Sequence, residues 1–245
     1  MPPPLELNEV IGRANMGVSR PFVCKAGPEK LQYWVKGQGN GWSRDELCFE
    51  WIAARLAGEI GLPMATPALI QIPNEVVRYS SMPDIRDLGE GVAYGSQHIA
   101  NSRFLEFSQI DFVPTELRAG IFFFDWWVQN QDRMLGELGG NVNLLWEDSQ
   151  EQLTVIDHNN AFDPEFDESQ HAVDHVFAKV LPQKTVFLEI FANLAVGIIP
   201  KLEQILKELP FEWTEMDGLP EFDKDHIRSI LNRIHDWSSF CTGHQ

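Results

Sequence analysis

Apolar residues along the chain divide it into a strand-rich first part and a helix-rich second part. Gln32-Tyr33-Trp34-Val35-Lys36 has the aromatic and β-branched composition of a strand, and Lys36-Gly37-Gln38-Gly39-Asn40-Gly41 ends it in a turn. Ser43 and Glu46 have capping-box spacing and open a helix, which Gly61 and Pro63 stop after about Ile60. Ala68 to Ile72, Val76 to Tyr79 and Val92 to His98 read as further strands, with the polar, glycine-bearing stretch from Met82 to Gly91 as a surface loop. Pro114 to Asn130 contains Ile121-Phe122-Phe123-Phe124-Asp125-Trp126-Trp127-Val128, apolar nearly all round, which predicts a buried helix. Val142 to Trp146 and Leu153 to Ile156, parted by Glu147-Asp148-Ser149-Gln150-Glu151, predict a hairpin. Thr185 to Leu206 carries Val186, Ile190, Phe191, Leu194, Ile198, Leu202 and Ile205 at helical spacing and predicts a helix whose stripe packs in the core. Glu221 to Trp237 predicts another, with Ile227, Ile230, Leu231, Ile234 and Trp237 inward.

Composition narrows the class. With 245 residues, 44% of them hydrophobic, the chain is long enough to bury one large core or two that share a cleft. Its net charge of −17 argues against nucleic acid or an anionic membrane as a partner, since phosphate-rich surfaces are held by concentrated positive charge. Cys24, Cys48 and Cys241 are odd in number and far apart, which favours a reducing compartment over a disulfide framework. The start Met1-Pro2-Pro3-Pro4 has no signal-peptide pattern, and no apolar run approaches the roughly 18 residues of a membrane helix. A cytoplasmic location is the expectation.

Chemistry concentrates between Gln131 and Asp157. Asp132 lies after the buried helix, Asn143 directly before an apolar strand, and Asp157 at the end of the next strand. Singly, each has an ordinary explanation as a surface ion pair, a turn residue or a loop cap. In this order they match the way phosphoryl-transfer enzymes place a group for the substrate hydroxyl and two hard oxygen ligands for Mg²⁺. Such a site also needs a lysine for the phosphates and a helical carboxylate to hold it. Lys36 ends a strand, and Glu50 shares a small apolar helix face with Ala53, Ala54 and Ala57, where it needs a cationic partner. Arg133 is placed to pair with Asp125 and brace the loop.

Taken together, Val35-Lys36-Gly37, Glu50 with Ala53-Ala54-Arg55-Leu56-Ala57 and Gly61-Leu62-Pro63, Asn130-Gln131-Asp132-Arg133, Asn141-Val142-Asn143-Leu144-Leu145 and Ile156-Asp157-His158 resemble the HipA-like kinases, in their short single-module form, and more distantly the phosphoinositide kinases. The resemblance spans roughly residues 10 to 165. It implies an α+β, two-lobed protein-kinase-like fold, with a β-rich N-lobe over residues 1–99, a mostly helical C-lobe over 100–245 and an ATP cleft between them. It implies ATP and Mg²⁺ as cofactors and transfer of the γ-phosphate to a serine or threonine hydroxyl of a protein substrate. Lys36 would contact the α- and β-phosphates, Glu50 would orient it, and Asp132 would be the catalytic base. Asn143 and Asp157 would be the metal ligands, the region from Gly17 to Ser19 would cover the phosphates, and Gln97 and Ile99 would read the adenine edge. An antitoxin or another regulatory protein is the partner such a family implies.

The chain departs from the usual pattern in one place. Asp132 and Asn143 are eleven positions apart, where the usual offset is about five, so Met134 to Gly140 reads as an insertion and Asn141 competes with Asn143 for the metal. Other classes stay open. His171 and His175, four apart and near Asp157, His158, Asp163 and Asp174, suggest a metal-dependent phosphohydrolase, although no glutamate follows His171 to serve as a base. A nucleotide-binding pseudokinase and a lipid or small-molecule kinase are the further alternatives.

Overall fold

The computed structural model describes residues 2–15, 20–135, 139–180, 185–215 and 220–237. Gly17, Ser19 and Cys241 lie outside the described residues. The chain opens with strands β1 (Leu5–Arg13), β2 (Phe22–Ala26) and β3 (Leu31–Lys36), followed by helix α1 (Arg44–Glu59), strand β4 (Pro67–Ile72), the short helix α2 (Asn74–Tyr79) and strand β5 (Gly91–Gln97). The five strands form a closed barrel in the order β1-β2-β3-β5-β4, shut by parallel pairing of Leu5 with Ile70 and Glu6 with Gln71. Closure leaves no free sheet edge. Its inner face follows the period of two: Phe22, Cys24 and Ala26 on β2 are buried, and Tyr33 and Val35 on β3 join them.

The Ser43 capping box is formed, the Ser43 hydroxyl accepting from the Glu46 N–H at 3.1 Å and the Glu46 carboxylate from the Ser43 N–H at 2.7 Å. Beyond the barrel come the two-residue strand β6 (Arg103–Phe104), helix α3 (Thr115–Trp127) and the hairpin β7 (Leu144–Glu147) and β8 (Gln152–Val155). β6 pairs with β7 to make a small three-stranded sheet. The remaining helices are α4 (Glu168–Asp174), α5 (Thr185–Ile198), α6 (Leu202–Glu208), α7 (Phe211–Thr214) and α8 (Lys224–Asn232). The expected buried helix is α3, whose residues 119–127 are all buried. Phe123 lies at its centre, with ring contacts to Trp126, Trp127, Phe191 and Trp237.

Three local expectations need correction. Val76 to Tyr79 belongs to α2, not a strand: Pro73 at the N-cap fixes a backbone from which a helical turn starts, and four residues are too few to tell period two from period 3.6. The Met82 to Gly91 stretch is not wholly surface, because Ile85 and Leu88 are buried. Its backbone lies so close to the β3–α1 turn that a Cβ on Gly37 would come within 1.8 Å of the Leu88 carbonyl oxygen, so only glycine fits there. The long helix from Thr185 to Leu206 is broken at Ile199–Lys201, a 3₁₀ turn containing Pro200, and its apolar stripe is divided between two faces. Leu188, Phe191, Ala195 and Ile198 face the core, whereas Val186, Ile190 and Leu194 are 63, 44 and 44% exposed.

The last helices also reach back to the barrel. The Trp213 indole N–H donates to the Val92 carbonyl at 2.7 Å, the Gln38 amide donates to the Glu212 carboxylate at 2.7 Å, and Arg55 on α1 pairs with Glu208 at 2.9 Å. The helix that carries Glu50 is therefore held from both sides.

Candidate active site

Lys36 ends β3 with its side chain buried, and its ammonium meets Glu50 Oε1 at 2.6 Å and Asp157 Oδ1 at 2.7 Å. The other Glu50 oxygen accepts from the His158 backbone N–H at 3.0 Å, so α1 is stitched to the strand-end segment carrying Asp157. Burial alone would lower the Lys36 pKa, but the Asp157 and Glu50 carboxylates outweigh it and raise it above the ordinary lysine value. Burial likewise pushes the Asp157 carboxyl up, yet Lys36 wins and holds it below its usual range. Glu50, more deeply enclosed, is raised by burial against the pull of Lys36. Lys36 and Asp157 are accordingly both charged near neutrality.

A second buried cluster holds the loop between α3 and β7. Asp125, on the last turn of α3, receives Arg133 Nε at 2.6 Å, the Asn130 amide at 2.8 Å and His175 Nε2 at 2.9 Å. This bears out the expected Arg133–Asp125 pair and adds His175 and Asn130 to it. The Arg133 guanidinium also donates to the Asn143 carbonyl and lies 3.0 Å from His158 Nε2. One buried cation thus ties α3 to the residues that precede β7 and follow β8 of the hairpin.

Across the long spacing from Asp132 to Asn143, of which residues 136–138 lie outside the described residues, the two flanks are drawn together. Met134 N–H donates to the Asn141 carbonyl at 2.8 Å, and Gly140 sits so close to Met134 that a Cβ there would lie 2.4 Å from the Met134 carbonyl oxygen. Residues 141–143 are thereby returned beside Asp132. The Asn143 amide nitrogen donates to the Asp132 backbone carbonyl at 3.1 Å, leaving its Oδ1 as an acceptor. The Asn141 amide nitrogen instead donates to Asp132 Oδ2 at 2.7 Å, and Asn160 donates to the same oxygen at 2.9 Å. Asn141 therefore orients the carboxylate, while Asn143 is tied to the backbone of the same residue; each donates through its amide nitrogen and keeps its Oδ1 as an acceptor. The Asn160 contact and the Asn159 amide, which donates to Glu46 at 3.1 Å, are site features that sequence reasoning missed. The polar Asn159-Asn160 pair directly after Asp157-His158 was the available signal.

Asn143 and Asp157 flank the hairpin at one end: Leu144 pairs with Val155, and the Ile156 N–H donates to the Asn143 carbonyl at 3.1 Å. Both adopt left-handed backbone, with φ of +46° and +58°, a conformation that Asn and Asp tolerate better than other side-chain-bearing residues. The donor set suits a hard cation, with one carboxylate and one amide oxygen and nothing soft. Among the described residues no three His, Cys, Asp or Glu side chains gather as a metal cluster. A Mg²⁺ bound mainly by substrate phosphates and water needs only one or two protein carboxylates, so the Asn143–Asp157 pair fits it. His171 and His175 form no such site: His171 contacts the Phe122 carbonyl at 3.1 Å and His175 contacts Asp125.

At the far edge of the barrel, the Gln97 N–H is already committed to the Thr66 carbonyl at 3.0 Å and the Ile99 carbonyl accepts from the Ser102 hydroxyl at 2.8 Å. Of the two residues assigned to the adenine, Gln97 therefore has its backbone N–H already engaged.

A barrel-borne lysine clasped by a helical carboxylate and by Asp157, with Asp132 and Asn143 on the adjoining loop, is the arrangement a kinase requires. The chain belongs to the HipA-like kinase family, whose model matches residues 7–240. Among solved structures it is similar to the Helicobacter pylori proinflammatory kinase CtkA, with a TM-score of 0.57 at 12% identity over 98% of this chain and 97% of that one, a likeness of fold. It is also similar to HipA of Shewanella oneidensis MR-1, solved with HipB and operator DNA, with a TM-score of 0.46 at 12% identity over 91% of this chain and 59% of that one. A search of curated protein sequences returns no match. No helix among the described residues is long and apolar enough to cross a membrane.

Proposed function

We propose that this protein is an ATP- and Mg²⁺-dependent kinase that transfers the γ-phosphate to a serine or threonine hydroxyl of a protein. In this reading residues 1–99 and 100–245 form two lobes with the nucleotide between them. The observation that carries it is the clasp of Lys36 between Glu50 and Asp157, beside an Asp132 whose Oδ2 is held by two amides. Lys36 binds the α- and β-phosphates, and Glu50 keeps its ammonium from following Asp157 out of the site. Asn143 Oδ1 and the Asp157 carboxylate hold Mg²⁺, which supplies charge neutralisation to the phosphates when bound. With Oδ2 occupied, Asp132 presents Oδ1 to the substrate hydroxyl and takes its proton as the oxygen–phosphorus bond forms and the bond to the ADP oxygen breaks. The family reading extends to an antitoxin or other regulatory protein as partner.

The test is transfer from γ-labelled ATP with Mg²⁺, with and without lysate, following label into protein, lipid and free phosphate. Asp132→Asn is expected to bind Mg-ATP nearly as well as wild type and to transfer nothing, while Asp157→Asn loses both. Wild-type transfer in both variants would overturn the site assignment. Tight nucleotide binding with no label anywhere would make the protein a pseudokinase.

A further inference from the structure

A groove of about 610 Å³ runs alongside the Asp132 loop, lined by Phe104, Leu105 and Phe107 on one side and Leu135, Asn141 and Val142 on the other. Its position relative to the chemistry is fixed twice. β6 is hydrogen-bonded to β7, with Phe104 opposite Leu145 and the Leu105 N–H on the Leu144 carbonyl at 2.9 Å, so one wall belongs to the sheet that begins right after Asn143. The other wall includes Asn141, whose amide touches Asp132 Oδ2. Phe104 and Phe107 are 50 and 47% exposed, an unusual burden for two large aromatics so near a polar site. Among the described lining residues Arg103 and Glu106 carry the charge, and Asp148 beside the lining adds a second carboxylate: the Arg103 guanidinium is shared by Glu106 at 3.4 Å and Asp148 at 3.0 Å, which leaves one carboxylate in excess in a chain of net charge −17.

The geometry points to this groove as the seat of the protein substrate, taking an apolar side chain close to the phosphoacceptor in a segment that carries lysine or arginine. This deepens the kinase reading and rests on it. Two aromatics and a leucine supply the apolar seat. The carboxylate excess disfavours acidic segments and draws basic ones, the way charge complementarity sets partner choice and register. A phosphorylated or acidic target, or an anionic lipid headgroup, finds no surplus of positive charge here.

The experiment uses the full chain with γ-labelled ATP and an array of serine- and threonine-centred peptides that vary in apolar and charged positions. Wild type is expected to prefer peptides with both an apolar residue and basic residues near the acceptor. Phe104→Ser/Phe107→Ser should raise the peptide KM about tenfold or more with the ATP KM unchanged, the size of effect that loss of an apolar pocket contact brings. Glu106→Gln, which keeps an acceptor for the local turn, should weaken the preference for basic residues. Equal labelling of all peptides, or variants with wild-type peptide KM, would overturn the groove and leave the kinase standing. Label only in lipid or a small molecule, or none at all, overturns the groove and the protein-kinase reading together.

Discussion

Replacing Asp125 by asparagine removes one charge from the centre of the molecule while keeping its shape. Asp125 is fully buried and serves Arg133, Asn130 and His175 at once. An asparagine has one acceptor oxygen, so its amide group must face a donor, either Arg133 and His175 or Asn130. Arg133 is also fully buried and is left without a counter-charge. Breaking a buried pair from one side costs about 3–5 kcal/mol. For a chain of this size that corresponds to a drop in Tm of roughly 6–20 °C. Urea titration at pH 7, followed by tryptophan fluorescence, measures it. Burial raises the Asp125 pKa, but Arg133, with His175, more than reverses this and holds it far below the carboxylate range. The carboxylate therefore stabilises the fold above the unfolded pKa of about 4, and the gap between wild type and variant should narrow as pH falls below that value. A difference under about 1 kcal/mol at pH 7 would refute the idea that this pair anchors the Asp132 loop.

Two further outcomes can be checked directly. His158 and His171 are buried neutral, their pKa values lowered to about 3 chiefly by burial, so they stabilise the fold above pH 6.5 and this is lost as pH falls from about 6.5 toward 3. His171→Phe, which fits between Phe122 and Phe166, should reduce the slope of unfolding free energy against pH by about 1.4 kcal/mol per unit between pH 6 and 4; an unchanged slope would mean that this ring is already charged in the native state. Asn160→Ala frees one side of Asp132 Oδ2 and should lower kcat about 10- to 100-fold with little change in the ATP KM, since it disturbs orientation and not nucleotide binding; a shift in KM alone would place Asn160 in the nucleotide site instead.

The sequence by itself determined the local elements whose signals are short-range: the Ser43 capping box, the buried Ile121 to Val128 helix, the hairpin bearing Asn143 and the pairing demands of Lys36 and Glu50. Each follows from spacing along one helix or strand, or from the cost of a buried charge. Tertiary structure decided what depends on residues far apart in the chain. The barrel closes by pairing Leu5 with Ile70, the backbone of the 82–91 segment is drawn against glycines on a distant turn with Ile85 and Leu88 buried, and α7 returns to Val92 through Trp213. The same holds for the two amides on Asp132, which arrive from either side of the hairpin. It holds also for the apolar stripe of α5, where helical spacing announced a hydrophobic helix but both faces were apolar, so only packing against α3 chose which one to bury.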